Sequence, residues 1–350
     1  MDSPKETLAA ILVEQKKDLV IAKCVLPENL ECGQILVKLS YSGICGSQIG
    51  EIDGVKGPDK FLPHMLGHEG TGEVLKIGPG VTRFKPGDEV IAHWKPASNG
   101  ISSVPPKYKW NGIVVNAGLV TTFNQFSIVS ENRLTKKPNN VRQDVASLYG
   151  CAVTTGFGLV ENKLSKLFGR VAIIFGAGGV GLNIIQALNL AGISKIYAVD
   201  LFDNRLSLAK KCGATHVINS RVEDPWTVFQ KELCDKKPDV FIDNTGNTEI
   251  MSKGFEIIDP NGDLLLVGVP NHSSTMRMKS LPLHFGKTIS GTHGGEVVPD
   301  MDIPRYSNLI EKQNFNLDNI ISEIIELRDI NRSISKIKNG EAAGRTLIKY

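Results

Sequence analysis

Short β-type runs, separated by glycine and proline, fill the first 150 residues of the chain. Residues 34–40, residues 72–77 and Glu89–His93 are examples. Runs of this kind, bounded by turn-forming residues, predict short β-strands joined by tight turns. The pattern therefore predicts a β-rich lobe over this part of the chain.

Near residue 150 the pattern changes to apolar strands that alternate with helical segments. Val171–Phe175 is apolar throughout, as expected of a strand buried on both faces. The segments that follow are a helix at 182–190, a strand at Lys195–Asp200, a helix at 204–211 and strands at 239–243 and 263–267. Alternating strands and helices predict a parallel sheet with helices on both faces.

These patterns divide the 350 residues into three segments of an α/β protein. Residues 1–151 form the predicted β-rich domain and residues 152–290 the doubly wound parallel sheet. Two helical stretches at 304–313 and 330–339 lie in the last segment, 291–350, which we expect to return to the first domain. A chain of this length is long for a single core, which also favours two domains.

Composition and charge narrow the classes of function. Hydrophobic residues make up 41% and charged residues 22%, as in ordinary globular proteins. The net charge of +3 predicts binding neither to nucleic acid nor to membranes. The six scattered cysteines favour a reducing, cytoplasmic setting over a disulfide framework. The apolar stretch 8–13 is too short for a signal peptide, and no run is long enough to span a membrane.

A glycine-rich turn, GAGGVG at residues 176–181, directly follows the apolar strand and precedes a helix. This is the context that a G-x-G-x-x-G dinucleotide motif requires. We expect Gly176 to allow the tight turn, Gly178 to let the backbone approach a pyrophosphate and Gly181 to allow close helix packing. Gly179 and Val180 complete the turn, where the helix N-terminus favours an anion.

Asp200 ends the next strand, about 20 residues after the motif. A carboxylate there can accept a hydrogen bond from the ribose 2′-hydroxyl and would repel a 2′-phosphate, so NAD is favoured over NADP. Arg205 argues in the other direction, because a nearby Arg can accommodate that phosphate. An alternative stays open in which the turn binds no phosphate and Asp200 caps a helix.

Three candidate metal ligands, Cys45, His68 and Cys151, lie in the segments YSGICGS, GHEGTG and YGCAVTTG. Two thiolates and an imidazole suit Zn²⁺, and three protein ligands leave one position for water or an alkoxide. Each residue alone has a plainer explanation as a small buried cysteine or a core histidine. Spacing in the sequence cannot by itself bring the three together.

Taken together, the motifs resemble the zinc alcohol dehydrogenases of the medium-chain dehydrogenase/reductase family. GHEGTG at 67–72, continued through Gly78 to Val81, is similar to the family's zinc signature, and KPGDEV follows at 85–90. GCAVTTG at 150–156 resembles the segment with the third zinc ligand. The resemblance runs from about residue 35 to the C-terminal GRTLIKY. It implies a GroES-like catalytic domain, a Rossmann domain and an active site between them.

The resemblance also implies roles for individual residues. Cys45, His68 and Cys151 would bind one catalytic zinc, Glu69 would lie behind it, and Ser47 would take the proton of the alcohol. The other implied contacts are Thr155, Val180, Val267 and Val269 at the nicotinamide and its ribose, Arg205 at the adenosine ribose, Arg345 at the pyrophosphate and Trp94 in the substrate pocket. For Arg345 the alternative is a solvated surface residue.

The chain also departs from the family pattern. It has no cysteine between Cys45 and Cys151, so the four-cysteine lobe that binds a structural zinc in many relatives is missing. Gly46 replaces an Arg at the pyrophosphate and Gln48 an acidic residue near the ligand histidine. Gly50 stands in place of the His that ends the proton relay, so the course of the relay beyond the serine stays open.

The resemblance implies reversible hydride transfer between an alcohol and NAD, giving an aldehyde or ketone. The alternatives are a zinc-free quinone or enone reductase of the same superfamily, a polyol dehydrogenase, whose third ligand is usually Glu, and a non-catalytic NAD-binding protein. The lysine-containing stretch 93–130 has no Asp or Glu. It is compatible with a polar or anionic substrate such as a sugar derivative, or with a solvated basic loop. We also expect a homodimer through the Rossmann domains.

Overall fold

The computed structural model describes residues 4–234 and 236–350. Strands of the described residues form a closed β-barrel, a mixed sheet of seven strands and a parallel sheet of six. The strands are β1 (Glu6–Leu12), β2 (Val20–Val25), β3 (Gln34–Gly43), β4 (His64–Met65), β5 (Glu69–Ile77), β6 (Glu89–His93), β7 (Lys107–Trp110), β8 (Ile113–Asn116), β9 (Phe126–Ser130), β10 (Leu134–Lys136), β11 (Val171–Phe175), β12 (Lys195–Asp200), β13 (His216–Asn219), β14 (Val240–Asp243), β15 (Asp263–Leu266), β16 (Thr288–Gly291), β17 (Ile321–Glu326) and β18 (Arg345–Lys349).

Helices cover the parallel sheet and join it to the β-rich part. In chain order they are α1 (Gly46–Ile52), α2 (Gln143–Ser147), α3 (Ala152–Lys163), α4 (Gly179–Leu190), α5 (Asp203–Lys211), α6 (Pro225–Leu233), α7 (Thr248–Ile257), α8 (Pro299–Lys312) and α9 (Ile330–Lys338). No helix among the described residues is long and apolar enough to cross a bilayer.

The β-rich lobe is organised around β3. This strand pairs antiparallel with β5, β9 and β18. Its residues Ile35, Val37 and Leu39 are buried in one core cluster, as expected of a strand whose alternate side chains face the core. The strand continues past the predicted segment to Gly43, so that Cys45 follows directly after its end.

The parallel sheet has the strand order β13-β12-β11-β14-β15-β16. In β11, Ala172 and Ile174 belong to one hydrophobic cluster, whereas Ile173 and Phe175 belong to the cluster on the opposite face. The apolar run is thus explained by burial on both faces, and the predicted doubly wound sheet is confirmed. Chain order reverses between β11 and β14, where such sheets bind ligands at the carboxyl ends of their strands.

The C-terminal segment contributes β17 and β18 to the mixed sheet, and β18 lies beside β3. The second predicted helix is present as α9. The first begins at Pro299 and not at residue 304, so its predicted start is wrong. Pro299 is the first residue of the helix, where a backbone N–H would have no partner within the helix, so the proline costs no hydrogen bond. The Asp302 carboxylate accepts the N–H of the N-cap residue Val298 at 2.7 Å. Pro304 therefore lies inside the helix.

Candidate metal centre and nucleotide site

The three predicted metal ligands meet at the junction of three elements. Cys45 precedes α1, His68 precedes β5 and Cys151 precedes α3. One ligand atom from each lies within 4.8 Å of those of the other two. Both cysteines are buried, and His68 Nε2 is buried with no hydrogen-bond partner. Zn²⁺ with bonds of roughly 2.0 to 2.3 Å fits these donors and would satisfy the orphaned nitrogen.

The turn that presents His68 depends on Gly67. This glycine has φ +91°, and a Cβ atom there would lie 2.4 Å from Thr122 Oγ1. Its N–H donates to Gln48 Oε1 at 2.5 Å, and Gln48 Nε2 lies 2.9 Å from His68 Nδ1. Gln48 thus orients the ligand histidine at the position where the resemblance led us to expect an outer-shell group.

The cluster is arranged to carry negative charge. A hydrogen bond from Cys151, together with Arg345, holds the pKa of Cys45 well below its usual range. The hydrogen bond to Cys45 and burial raise the pKa of Cys151 well above its own. Burial would lower the pKa of His68, but the adjacent Cys45 and the charge of Glu69 raise it. Zn²⁺ binds both sulfurs as thiolates, so metal binding would displace any thiol proton that remains in the cluster.

Glu69 and Arg345 form a buried ion pair behind the cluster. Their side chains are 0% and 4% exposed, and Arg345 Nε lies 3.0 Å from Glu69 Oε1, although the N–H does not point squarely at that oxygen. The other carboxylate oxygen accepts the N–H of Ala152 at 3.2 Å. Arg345 Nη1 donates to the carbonyl of Ile44 at 3.0 Å. Burial raises the pKa of Glu69, and Arg345 opposes that shift. The alternative of a solvated surface Arg345 is therefore excluded, because the residue is buried.

The glycine-rich turn has the geometry that its sequence predicts. Gly176 has φ +96°, and a Cβ atom at Gly181 would lie 2.0 Å from the carbonyl oxygen of Gly176. No atom lies within 4 Å of the Cβ position of Gly178, which begins α4 without a side-chain cap. Beside the turn, a Cβ at Gly179 would lie 3.1 Å from Arg345 Nη2, a buried nitrogen without a partner. The uncapped helix N-terminus and this nitrogen fit a pyrophosphate.

Asp200 lies at the carboxyl end of β12, next to the same turn. One of its carboxylate oxygens accepts the N–H of Ala177 at 2.8 Å, and the other accepts the N–H of Leu201 at 2.7 Å. Helix α5 begins at Asp203 with Phe202 as its N-cap, so Asp200 does not cap it. Arg205 Nη1 lies 3.7 Å from Asp200 Oδ1, and its Nη2 donates to the carbonyl of Ile337 at 3.0 Å.

The remaining predicted site residues differ in their elements and in their exposure. Ser47 is half-buried in the first turn of α1, and Thr155 is buried in the first turn of α3, where its N–H donates to the carbonyl of Cys151. Trp94 packs edge-on against His293, with ring centroids 4.8 Å apart. The three valines that were expected at the nicotinamide differ in exposure. Val180 and Val267 are half-buried, whereas Val269 is 54% exposed.

Gln48, His68, Trp94 and Arg133 are among the residues that line a cavity of about 1020 Å³. Sequence reasoning missed Arg133, because its importance depends on the side chains around it. It also missed the group formed by Glu51, Asp59 and His64, in which His64 Nε2 lies 2.7 Å from Asp59 Oδ2. Neither feature has a recognisable motif or spacing.

Two family models match the chain. One, described as an alcohol dehydrogenase GroES-like domain, matches residues 31–139. The other, described as a zinc-binding dehydrogenase, matches residues 179–312. The first match includes Cys45, His68 and Glu69, and the second begins within the glycine-rich turn. The matches therefore correspond to the β-rich lobe and to the parallel sheet with its helices.

Curated relatives and solved structures resemble the chain over nearly its whole length. The alcohol dehydrogenase class-3 of Cereibacter sphaeroides is 28% identical, over 96% of this chain and 98% of its own. The S-(hydroxymethyl)glutathione dehydrogenase of Paracoccus denitrificans is 28% identical, over 98% of this chain and 100% of its own. The benzyl alcohol dehydrogenase structure from Acinetobacter calcoaceticus gives a TM-score of 0.86 at 27% identity, over 99% of each chain. The predicted pair of GroES-like and Rossmann folds is confirmed.

We predict that Cys151→Ser removes zinc from the protein while NAD binding largely survives. A serine hydroxyl stays neutral near pH 7 and replaces a thiolate poorly, whereas the glycine-rich turn needs no metal. Zinc affinity should fall by more than the roughly 10- to 100-fold that follows loss of an outer-shell partner. Elemental analysis and calorimetric titration with NAD measure the two effects.

Cys212→Ser is the matched control for this variant. Cys212 is equally buried, at 6% exposure, but lies outside the cluster at the end of α5. We expect this control to keep its zinc. A full zinc complement in Cys151→Ser would show that Cys151 is not a ligand.

Proposed function

Because the chain belongs to the zinc-type medium-chain alcohol dehydrogenases, we propose that it transfers a hydride reversibly between a small-molecule alcohol and NAD, giving the aldehyde or ketone. The observation that carries this proposal is the convergence of Cys45, His68 and Cys151, with His68 also lining a large cavity. The glycine-rich turn lies on the other side of Arg345, which contacts both regions. A zinc-free reductase or a non-catalytic NAD-binding protein has no need of three converging metal donors.

We further propose the domain boundaries that the sequence predicts. Residues 1–151 and 291–350 would form the GroES-like catalytic domain with the returning C-terminal segment, and residues 152–290 the Rossmann domain. The pairing of β18 with β3 supports the return of the C-terminal segment. The scarcity and scatter of cysteines support a cytoplasmic setting.

In the proposed mechanism the protein positions the reactants, binds the metal cation and removes the proton of the alcohol. When bound, Zn²⁺ supplies Lewis acidity at the substrate oxygen and NAD accepts or returns the hydride. Cys45, Cys151 and His68 would hold the cation, and Ser47 Oγ would accept the hydroxyl proton of the alcohol as it gives up its own proton. Trp94 forms part of the wall that excludes water from the cleft. The proton that Ser47 gives up would leave to water or to the ribose of a bound cofactor, because Gly50 has no side chain to carry it.

The proposed cofactor contacts follow the same geometry. Asp200 would accept the hydrogen bond of the adenosine ribose, with Arg205 beside it. Arg345 Nη2 and the turn at residues 176–181 would bind the pyrophosphate. The residues proposed to flank the nicotinamide and its ribose are Thr155, Val180, Val267 and Val269.

We predict one zinc per chain, held by the catalytic cluster. The sequence lacks the cysteines of a second, structural site. In the group of Glu51, Asp59 and His64, the 2.7 Å separation of His64 and Asp59 is that of a direct hydrogen bond, with no room for an ion between those atoms. Elemental analysis of protein expressed with ample zinc measures the ratio. Two tightly bound zinc ions per chain, or none, would contradict this prediction.

We predict a preference for NAD over NADP, and a smaller preference in Asp200→Ala. A 2′-phosphate would face the Asp200 carboxylate and lose its hydrogen bond. The measurement is kcat/KM with each cofactor and any alcohol that the wild type oxidises. Asp203→Ala, an exposed acid three residues away, is the control. Equal or better use of NADP by the wild type would refute the assignment and indicate that Arg205 dominates.

We also propose a homodimer through the parallel sheet. From the sequence we expect the interface along residues 263–269, with residues 287–290 nearby. The edge strand at this end of the sheet is β16, whereas β15 lies between β14 and β16. The expectation that residues 263–269 form the edge is therefore wrong, and only residues 287–290 are at the edge. Leu281 and Phe285, just before β16, are 64% and 71% exposed, and apolar residues of this size are typical of an interface.

We predict that light scattering at micromolar concentration gives about twice the 38.1 kDa of one chain. Replacing both Leu281 and Phe285 by Asp should shift the mass toward that of a single chain. A wild-type mass of one chain would refute the dimer.

A further inference from the structure

The catalytic cavity is larger than a short alcohol requires. Its volume of about 1020 Å³ lies at the upper end of the roughly 300 to 1,000 Å³ that small-molecule sites occupy. Gln48 and His68 line it at the metal cluster, and Arg133 lines it as well. The cavity therefore contains a cationic side chain in addition to the candidate ligand histidine.

The pairing of β10 with β6 fixes the position of Arg133 in the cavity wall. Arg133 ends a short 3-10 helix, Glu131–Arg133, and the next residue, Leu134, pairs with Ala92 across the β10–β6 ladder. Arg133 therefore comes beside His93, directly before Trp94 in the pocket wall. Its position is fixed by two paired strands and not by a free loop.

The guanidinium of Arg133 has no partner among residues 4–234 and 236–350. Its Nη1 is buried and makes no hydrogen bond, whereas the residue as a whole is half-buried, and Arg133 forms no ion pair with the described residues. Burial lowers the pKa of Arg133. A cationic nitrogen that is buried without a partner is unfavourable, so such groups are ordinarily paired or bind a ligand.

Glu131, the acidic residue nearest to Arg133 in the sequence, forms its hydrogen bonds with other groups. Glu131 Oε1 accepts the N–H groups of Thr82 and Arg83 at 2.9 Å, and its Oε2 accepts the N–H of Ile101 at 2.8 Å. Asp300 accepts the N–H of Ser98 and pairs with the Arg83 guanidinium. These carboxylates hold the surrounding loops and leave Arg133 unpaired.

Other groups around Arg133 do not neutralise it. Both ring nitrogens of His93 are engaged, at 2.7 Å from the Lys95 carbonyl oxygen and 2.9 Å from Thr135 Oγ1, and burial lowers the pKa of His93 to about 4. Two acids, Glu31 and Glu51, line the cavity, but neither forms an ion pair with Arg133. The positive charge is therefore available to a ligand in the cavity.

We propose that Arg133 binds an anionic group, a carboxylate or a phosphate, on the part of the alcohol substrate remote from the reacting hydroxyl. This inference rests on the proposed dehydrogenase function. The planar fork of a guanidinium matches both anions with paired hydrogen bonds. Lys107, exposed where it lines the same cavity, adds positive potential without a fixed contact. Arg133 thus selects the substrate class and takes no part in the hydride step.

The test compares matched substrates on the zinc-loaded protein. One series is ω-hydroxycarboxylates of increasing length, a second is the monophosphate esters of diols, and the third is uncharged alcohols of the same lengths. We expect the wild type to prefer one anionic series over the uncharged one. In Arg133→Met the ratio of kcat/KM, charged over uncharged, should fall roughly 10- to 100-fold, the usual scale for losing a charged hydrogen bond. The loss should appear mainly in KM.

Two further variants separate this role from a structural one. Arg133→Lys keeps the charge and should retain part of the preference. Lys109→Met removes an exposed charge from nearby β7, outside the cavity lining, and should leave the ratio unchanged. If Arg133→Met does not fold, Arg133→Gln serves in its place. The series that depends on Arg133 identifies the anion as carboxylate or phosphate.

Failure of the proposal can be distinguished from failure of the dehydrogenase function. If the wild type oxidises uncharged alcohols with NAD but prefers neither anionic series, or if the preference survives in Arg133→Met, the anion site is refuted and the function stands. If no alcohol is oxidised, calorimetric titration with unreactive carboxylates and phosphate esters decides. Binding that is lost in Arg133→Met supports the site, and no binding refutes it.

Discussion

The buried ion pair of Glu69 and Arg345 is the constraint on which the rest of the site depends. The pair joins β5 to β18, the last strand of the chain, and one Glu69 oxygen also accepts the first N–H of α3. Burying two opposite charges is favourable only when they stay together, and removing one partner typically costs about 3 to 5 kcal/mol. This pair therefore helps to hold β18 in the sheet, beside the strand β3 that precedes the first metal ligand.

The same pair links the electrostatics of the two functional regions. Cys45 is held toward the thiolate by Cys151 and Arg345, and Glu69 adds a second negative group that partly offsets the arginine. A divalent cation in this cluster would meet a compact set of donors already biased toward deprotonation. On its other side the guanidinium lies against Gly179, so one cation serves both the metal cluster and the phosphate turn.

Local patterns predicted most of the fold, whereas long-range contacts decided the rest. The apolar run of β11 and the glycine-rich turn were readable because their constraints act within a few neighbouring residues. The meeting of Cys45, His68 and Cys151 was not readable from spacing, and only the resemblance of their motifs to a known family suggested it. Arg345 was expected at a pyrophosphate, but its contact with Glu69 spans most of the chain. The unpaired state of Arg133 could not be predicted, because a sequence does not reveal which acids are already engaged.

The central claim is that two thiolates and one imidazole of this chain hold a zinc ion. X-ray absorption at the zinc edge of the purified holoprotein tests it most directly, because the spectrum counts sulfur and nitrogen neighbours. We expect two sulfur atoms at about 2.3 Å and one imidazole nitrogen at about 2.0 to 2.1 Å, with one lighter ligand completing the shell. A shell of four sulfur atoms, or one with no sulfur, would contradict the account.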